Sequence, residues 1–247
     1  MHHGSDKETS MLGILGGMGP MATVDFMGKI VRNTPASCDQ EHIQMVVCSA
    51  TDVPDRTAAI LGQGCDPFPA MLNALRRLEL SGATRIAIPC NTAHHWHGAL
   101  QARTSVPIIH IVDTVADALA GLRTNPTIGV LATDGTVHAG IYQQRLAERG
   151  YVCVMPDAKA QAEVMRAIRL VKAGLADEAA DILGREAETL AARGCSHIAM
   201  ACTEIPLALA ALDNDLGAAL LDPTDLLARA CVRSCLRLPQ DLVPQVA

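Results

Sequence analysis

The sequence predicts an α/β fold of two pseudo-symmetric domains, each a mostly parallel sheet flanked by helices, with the active site in the interdomain cleft. Three observations carry this. Short apolar runs alternate with longer helix-like stretches, the pattern of βαβ units feeding a parallel sheet. One stretch recurs: Gly82-Ala83-Thr84-Arg85-Ile86-Ala87-Ile88-Pro89-Cys90-Asn91-Thr92 aligns with Gly194-Cys195-Ser196-His197-Ile198-Ala199-Met200-Ala201-Cys202-Thr203-Glu204, 112 residues apart throughout. The offset persists where Val112-Asp113-Thr114-Val115-Ala116 lies over Thr224-Asp225-Leu226-Leu227-Ala228. Upstream, Leu12–Gly16 has a counterpart in Ile128–Ala132, each followed by a glycine-containing turn.

The elements follow in order. Residues 1–10 are a polar tail and are set aside. Strands are expected at Met11–Leu15, Ile43–Cys48, Arg85–Pro89, Pro107–Val112, Thr127–Ala132, Tyr151–Met155, His197–Ala201 and Ala218–Leu221, and amphipathic spacing predicts helices over Pro69–Ser81 and Ala160–Lys172. In the first turn, Gly16, Gly17 and Gly19 let the backbone approach a small anionic ligand, with Pro20 suited to a first helical position. Each half ends one strand with a cysteine followed by Asn-Thr or Thr-Glu, residues that suit the start of a helix. Open parallel sheets bind ligands at the carboxyl ends of their strands. If the halves face each other, Cys90 and Cys202 approach one cleft from opposite sides.

Composition narrows the function. The chain has 247 residues, enough for one large domain or two small ones, with 49% apolar and 19% charged residues. A net charge of −6 and only five aromatic side chains (one Trp, two Tyr, two Phe) argue against a nucleic-acid surface. The longest charge-free apolar stretches fall far short of the roughly 20 residues of a membrane span. Nine scattered cysteines with no CxxC pair, and no signal-peptide pattern at the start, fit a reducing compartment, the cytoplasm.

Several familiar chemistries lack support. Gly17-Met18-Gly19-Pro20-Met21-Ala22 matches a dinucleotide fingerprint formally, but no acidic residue is cleanly placed to hold a ribose at the end of Ile43–Cys48, which runs into Ser49-Ala50. Cys90 is followed by His94, His95 and His97, yet no carboxylate or second cysteine nearby completes a four-ligand zinc site, so these histidines read as solvent or interface groups. Of four lysines, Lys7 sits in the tail, leaving Lys29, Lys159 and Lys172 as candidates for a pyridoxal Schiff base. No G-x-S-x-G elbow is present. Paired cysteine chemistry remains. Two thiols flanking one carbon suit removal of a proton from one face and its return on the other, one cysteine acting as thiolate and the other as thiol. A free thiol has a pKa of about 8.5, and a helix N-terminus after each cysteine is expected to favour the anion. Asn91, Thr92 and Thr203 then offer donors to a substrate carboxylate.

At these residues the sequence resembles the aspartate/glutamate racemase superfamily, the aspartate racemase branch above all. The matching segments are Gly13-Ile14-Leu15-Gly16-Gly17-Met18-Gly19-Pro20, Val53-Pro54-Asp55-Arg56-Thr57, Pro89-Cys90-Asn91-Thr92-Ala93-His94, Leu131-Ala132-Thr133-Asp134-Gly135-Thr136, Val171-Lys172-Ala173-Gly174 and Ala201-Cys202-Thr203-Glu204. The resemblance implies a cofactor-independent two-base racemase of aspartate, with glutamate, a broader amino-acid range or another small dicarboxylate as the alternatives. Cys90 and Cys202 are then the acid/base pair. Asn91, Thr92, Thr136, Thr203 and Glu204 surround the amino-acid head, Gly17 and Met18 line the substrate turn, and Arg56 and Lys172 bind a side-chain carboxylate. From spacing alone Arg56 reads as a solvated surface group; the resemblance makes it a carboxylate clamp, for which its two-pronged donor set is suited. The resemblance also implies a homodimer, and a C-terminal segment that returns to the first domain, giving 11–106 plus 215–247 as one domain and 107–214 as the other where the sequence alone suggests a plain two-half split. Two positions depart from the family pattern: Arg169 follows Ile168 where relatives often carry Tyr, on a stretch one residue shorter before Lys172, and Asp134 precedes the Gly-Thr turn. A hydantoin substrate is disfavoured by Arg56 and Lys172, since hydantoins have no free carboxylate. The rivals from other classes are an amino-acid-binding module and a redox sensor closing a Cys90–Cys202 disulfide, which requires Cα atoms within roughly 7 Å.

Overall fold

The computed structural model describes residues 10–120, 122, 126–209 and 218–238, so the polar tail, save Ser10, lies outside the described residues. Two parallel four-stranded sheets form. The first contains β1 (Met11–Gly16), β2 (Gln44–Ser49), β3 (Arg85–Ala87) and β4 (Ile108–Ile109) in the order β2-β1-β3-β4. The second contains β5 (Thr127–Ala132), β6 (Val152–Val154), β7 (His197–Ala201) and β8 (Ala219–Leu221) in the order β6-β5-β7-β8. The repeat is therefore architectural: Gly13 of β1 lies opposite Ile86 of β3, and Gly129 of β5 opposite Ile198 of β7. The helices are α1 (Pro20–Asn33), α2 (Arg56–Ile60), α3 (Phe68–Leu80), α4 (His97–Gln101), α5 (Ile111–Leu119), α6 (Asp134–His138), α7 (Ile141–Ala147), α8 (Ala158–Lys172), α9 (Ala176–Ala192), α10 (Ile205–Leu209) and α11 (Pro223–Leu236).

The strands are apolar on both faces because both faces are covered. Leu15, Ile86 and Ile88 pack outward against Met71, Leu75 and Leu78 of α3 and Leu100 of α4. In the second lobe Leu131, Ile198 and Met200 pack outward against α8, α9 and α10. The inner faces share one core, in which Leu12 and Ile14 of β1 and Ile128 and Val130 of β5 join Phe26, Ile111, Val115, Tyr142, Leu227 and Val232. No helix among the described residues is long and apolar enough to cross a membrane.

Several expected boundaries move for local reasons. The strand expected over Pro107–Val112 is only Ile108–Ile109, because the His110 ring accepts the Val112 amide at 3.1 Å and opens α5 there. β3 stops at Ala87, two residues before Pro89, which has no N–H to give to a ladder. α8 begins at Ala158 because Asp157 accepts from the Lys159 and Ala160 amides, each at 3.0 Å. The expected domain limits also cut across the sheets: β4 pairs with β3 in the first sheet and β8 with β7 in the second, the reverse of what 11–106 plus 215–247 and 107–214 imply. The chain returns after β8. α11 packs against α1 and α5 and touches β1 and β3.

An ionic lock fixes that return. Lys29 of α1 has a side chain only 9% exposed and meets Asp25 at 2.6 Å, Asp222 at 2.7 Å and the Thr224 hydroxyl at 2.7 Å. Its three ammonium protons are thus all placed. Asp222 also caps α11 by accepting the Thr224 and Asp225 amides at 2.9 and 3.2 Å.

Candidate active site

The carboxyl ends of β1, β2, β3, β5 and β7 converge on one cavity, with the last residue of α8 at its edge. It is lined by Met18, Asp55, Arg56, Thr57, Cys90, Asn91, Thr92, Thr133, Lys172, Cys202, Thr203 and Glu204. The empty space, open mouth included, is about 320 Å³, at the small end of ligand sites. Cys90 follows β3 and Cys202 follows β7, equivalent strands of the two sheets, and each cysteine is 6% exposed. All nine cysteines are free.

The two thiols have different surroundings. The Cys202 Sγ–H donates to Oε2 of Glu204 at 3.0 Å, and the Thr203 hydroxyl donates to the same oxygen at 3.1 Å. Burial, then the Glu204 charge and this bond, push the Cys202 thiol well above its usual range, so it holds its proton. A helix N-terminus was expected to do the opposite. The helices that follow are short: a 3-10 turn over Thr92–Trp96 after Cys90, and the five-residue α10 after Cys202, so there is little aligned dipole to offer. Lys172, 44% exposed at the mouth, lies 3.5 Å from Oε1 of Glu204. Burial works against its charge, but Glu204 and the two cysteines outweigh this and raise its pKa above 10.5.

On the Cys90 side, His94 is an internal brace and not the solvent or interface group expected. The Ile111 amide donates to its Nε2 at 3.1 Å, so Nδ1 carries the proton and donates to the Cys90 carbonyl at 2.9 Å. Burial, the largest cause, lowers its pKa to about 4 and keeps it neutral. Both ring nitrogens are committed. Among the described residues no group of three or more His, Cys, Asp or Glu side chains is arranged to hold a metal ion.

Polar side chains complete the cleft. Asn91, 2% exposed, accepts the Tyr142 hydroxyl proton on Oδ1 at 2.6 Å, while its Nδ2 is buried without a partner among the described residues. Thr92, Thr133 and Thr136 form a hydroxyl triangle across the lobes with sides of 2.9, 3.0 and 3.0 Å. Nη1 of Arg56 is held by the Val53 and Pro54 carbonyls at 3.1 and 2.9 Å, and its Nε is buried and has no partner among the described residues. The lobes close tightly beside it: a Cβ on Gly135 of α6 would lie 2.8 Å from Thr57 Cα of α2.

Two expected site residues stand behind the wall. Gly17 adopts φ +89°, and its N–H donates to the Thr23 hydroxyl at 2.8 Å, so it shapes the turn and has no amide left for a ligand. Thr136 reaches the cleft only through Thr92 and Thr133. Both departures from the family pattern also fall outside the lining: Arg169 is exposed, and Asp134 accepts from Gln161 at 2.8 Å. The structure adds Asp55, Thr57 and Thr133 to the lining and Tyr142 behind it. The first three adjoin expected residues within the same motifs; Tyr142 lies 51 positions from Asn91 and leaves no local signal.

Fold and cleft together define a two-lobed α/β protein with one buried cysteine from each lobe facing a small polar cavity. The chain belongs to the Asp/Glu/Hydantoin racemase family, whose model matches residues 15–231. It is 30% identical to the broad specificity amino-acid racemase RacX of Bacillus subtilis (strain 168) over 158 residues, 62% of this chain and 67% of that one. Its structure is similar to the Picrophilus torridus aspartate racemase, with TM-score 0.80, 29% identity and coverage of 92% and 94%. The glutamate racemase RacE1 of Bacillus anthracis shares the fold, with TM-score 0.67, 17% identity and coverage of 96% and 86%.

Proposed function

We propose that this protein racemises an acidic amino acid, aspartate first, by cofactor-independent two-base chemistry between Cys90 and Cys202. The observation that carries the reading is the pair of buried thiols at equivalent strand ends of one cavity, one of them, Cys202, holding its proton on Glu204. Cys90 as thiolate takes the α-proton from one face. Cys202 gives its proton to the other face of the carbanion, leaving Cys90 as thiol and Cys202 as thiolate, the state that runs the reverse reaction. As the α-carbon loses its proton, charge moves onto the α-carboxylate, where the free Nδ2 of Asn91 and the Thr92 hydroxyl are at hand. The unpartnered Nε of Arg56 suits a second carboxylate.

One observation favours a wider substrate range as the second reading. Lys172 already faces Glu204 at 3.5 Å, which leaves Arg56 as the one lining cation without a carboxylate partner among the described residues. A panel of amino acids incubated in D2O without pyridoxal phosphate separates the readings. Aspartate of either configuration should exchange its α-hydrogen and invert; exchange spread evenly over neutral amino acids selects the wider range, and none with any amino acid sinks both. A homodimer and a cytoplasmic location belong to the same proposal, and sedimentation giving a single copy would remove the dimer.

Glu204 has a separable effect. Its charge and hydrogen bond raise the Cys202 pKa, so Glu204→Gln should let this thiol ionise at lower pH. In a Cys90→Ser background, the midpoint of Cys202 alkylation by iodoacetamide should move downward. An unmoved or rising midpoint would show that Glu204 does not hold the proton there.

A further inference from the structure

Asn91 is unusual in the cleft. Its amide is almost fully buried, one end is bonded and the other is left without a partner. An asparagine amide can turn over, presenting either a donor or an acceptor, and the two orientations are opposite in effect. A donor stabilises charge on a substrate carboxylate, whereas an acceptor repels it. Something must choose between them.

The chooser comes from the other lobe. Tyr142 of α7 is 0% exposed, packed in the central core beside Ile141 and Leu146, and its hydroxyl reaches Asn91 at 2.6 Å. A buried phenol must place its proton on an acceptor, and among the described residues the one bonded to it is Oδ1 of Asn91. Burial, followed by the charge of Asp222 and of Cys153 and Cys202, raises the phenol pKa well above 10, so the proton stays on Tyr142 as a donor. With Oδ1 claimed, Nδ2 has to face away from Tyr142.

Resting on the racemase reading, we propose that Tyr142 is a positioning residue: its hydroxyl pins Asn91 so that Nδ2–H points into the cleft at the substrate α-carboxylate, whose charge grows as the α-carbon is deprotonated. Tyr142 touches no substrate itself. Because Asn91 follows β3 and Tyr142 lies in the second lobe, the bond also makes donor orientation conditional on the lobes being correctly apposed.

The test is a double-mutant cycle with kcat, KM and α-hydrogen exchange measured on wild type, Tyr142→Phe, Asn91→Ala and the double variant. Losing one donor to a developing oxyanion costs about 10²–10³ in kcat, and releasing it to turn over should cost roughly tenfold, with KM nearly unchanged. Tyr142→Phe should lower kcat in the presence of Asn91 and have no effect on kcat once Asn91 is alanine. An equal cost in both backgrounds, or wild-type kcat in Tyr142→Phe, overturns the proposal while leaving the racemase reading in place. If the wild type exchanges no α-hydrogen, both fall. Asn91→Asp guards against a Tyr142→Phe that does not fold, since it keeps an acceptor for the phenol and puts a carboxylate oxygen where the N–H was. It should lose at least as much kcat as Asn91→Ala, and retention of wild-type kcat refutes the donor role.

Discussion

Replacing either Cys90 or Cys202 with alanine is expected to lower net racemisation by about 10³-fold or more. A positioned acid or base contributes roughly 10²–10⁴, and in a two-base reaction each thiol is needed in every turnover, as base in one direction and acid in the other. The two losses should match in size, yet the variants should differ in what they retain. With Cys90 alone, one enantiomer still presents its α-hydrogen to a base, and slow exchange with retention of configuration is possible for that enantiomer only; with Cys202 alone the other enantiomer is served. Chiral chromatography coupled to mass spectrometry of amino acid incubated in D2O reads both quantities. More than a tenth of wild-type racemisation in either variant, or exchange of the same enantiomer by both, would refute the assignment. The buried surroundings make the comparison clean, since alanine at a 6% exposed position adds no polar group in place of the thiol.

The repeat explains why so much of this site was legible. Strand–cysteine–polar units 112 residues apart specify two equivalent strand ends, and parallel-sheet geometry brings both to one cleft, so Cys90, Asn91, Thr92, Cys202, Thr203 and Glu204 follow from local pattern. What stayed hidden depends on partners remote in sequence. His94 looks like one of three surface histidines until the Ile111 amide, 17 positions on, takes up its second nitrogen. Tyr142 looks like core filler until its hydroxyl meets Asn91 in the other lobe. Gly17 reads as facing the ligand until the Thr23 hydroxyl, six positions on, takes up its amide. The pairing of β4 and β8 is hidden for a related reason: strands of two and three residues carry too little pattern to reveal which sheet they join. Glu204, expected among groups around the amino-acid head, lines the cavity and also accepts from Cys202, and only the geometry shows that a carboxylate there raises a thiol pKa.

Lys29→Met should cost about 3 kcal/mol of stability, the lower end for breaking a buried ion pair, because the carboxylates left behind are 23% and 20% exposed and water reaches them in part. In a chain of this size that corresponds to a fall in Tm of about 6–12 °C, measurable by calorimetry. The methionine fills similar volume, so the cost falls on Asp25 and Asp222 and not on packing. Asp222 retains its amide partners in the α11 cap, whereas Asp25 loses its close cation, with Arg32 still 3.8 Å away. The pH dependence separates this lock from a general effect of the substitution. Burial opposes the Lys29 charge, but Asp222 and Asp25 outweigh it, and the folded pKa lies above its ordinary value of 10.5. The lock's contribution is therefore complete below about pH 10.5 and is lost as pH rises through the folded value. Wild type and variant should differ by a constant amount from pH 6 to 9 and converge only in strongly alkaline solution. Convergence near neutrality, or an unchanged Tm, would mean that α11 is held to α1 without the Lys29 lock, by Leu226, Leu227 and Val232 in the shared core and by the Asn33 amide donating to Asp225 at 2.8 Å.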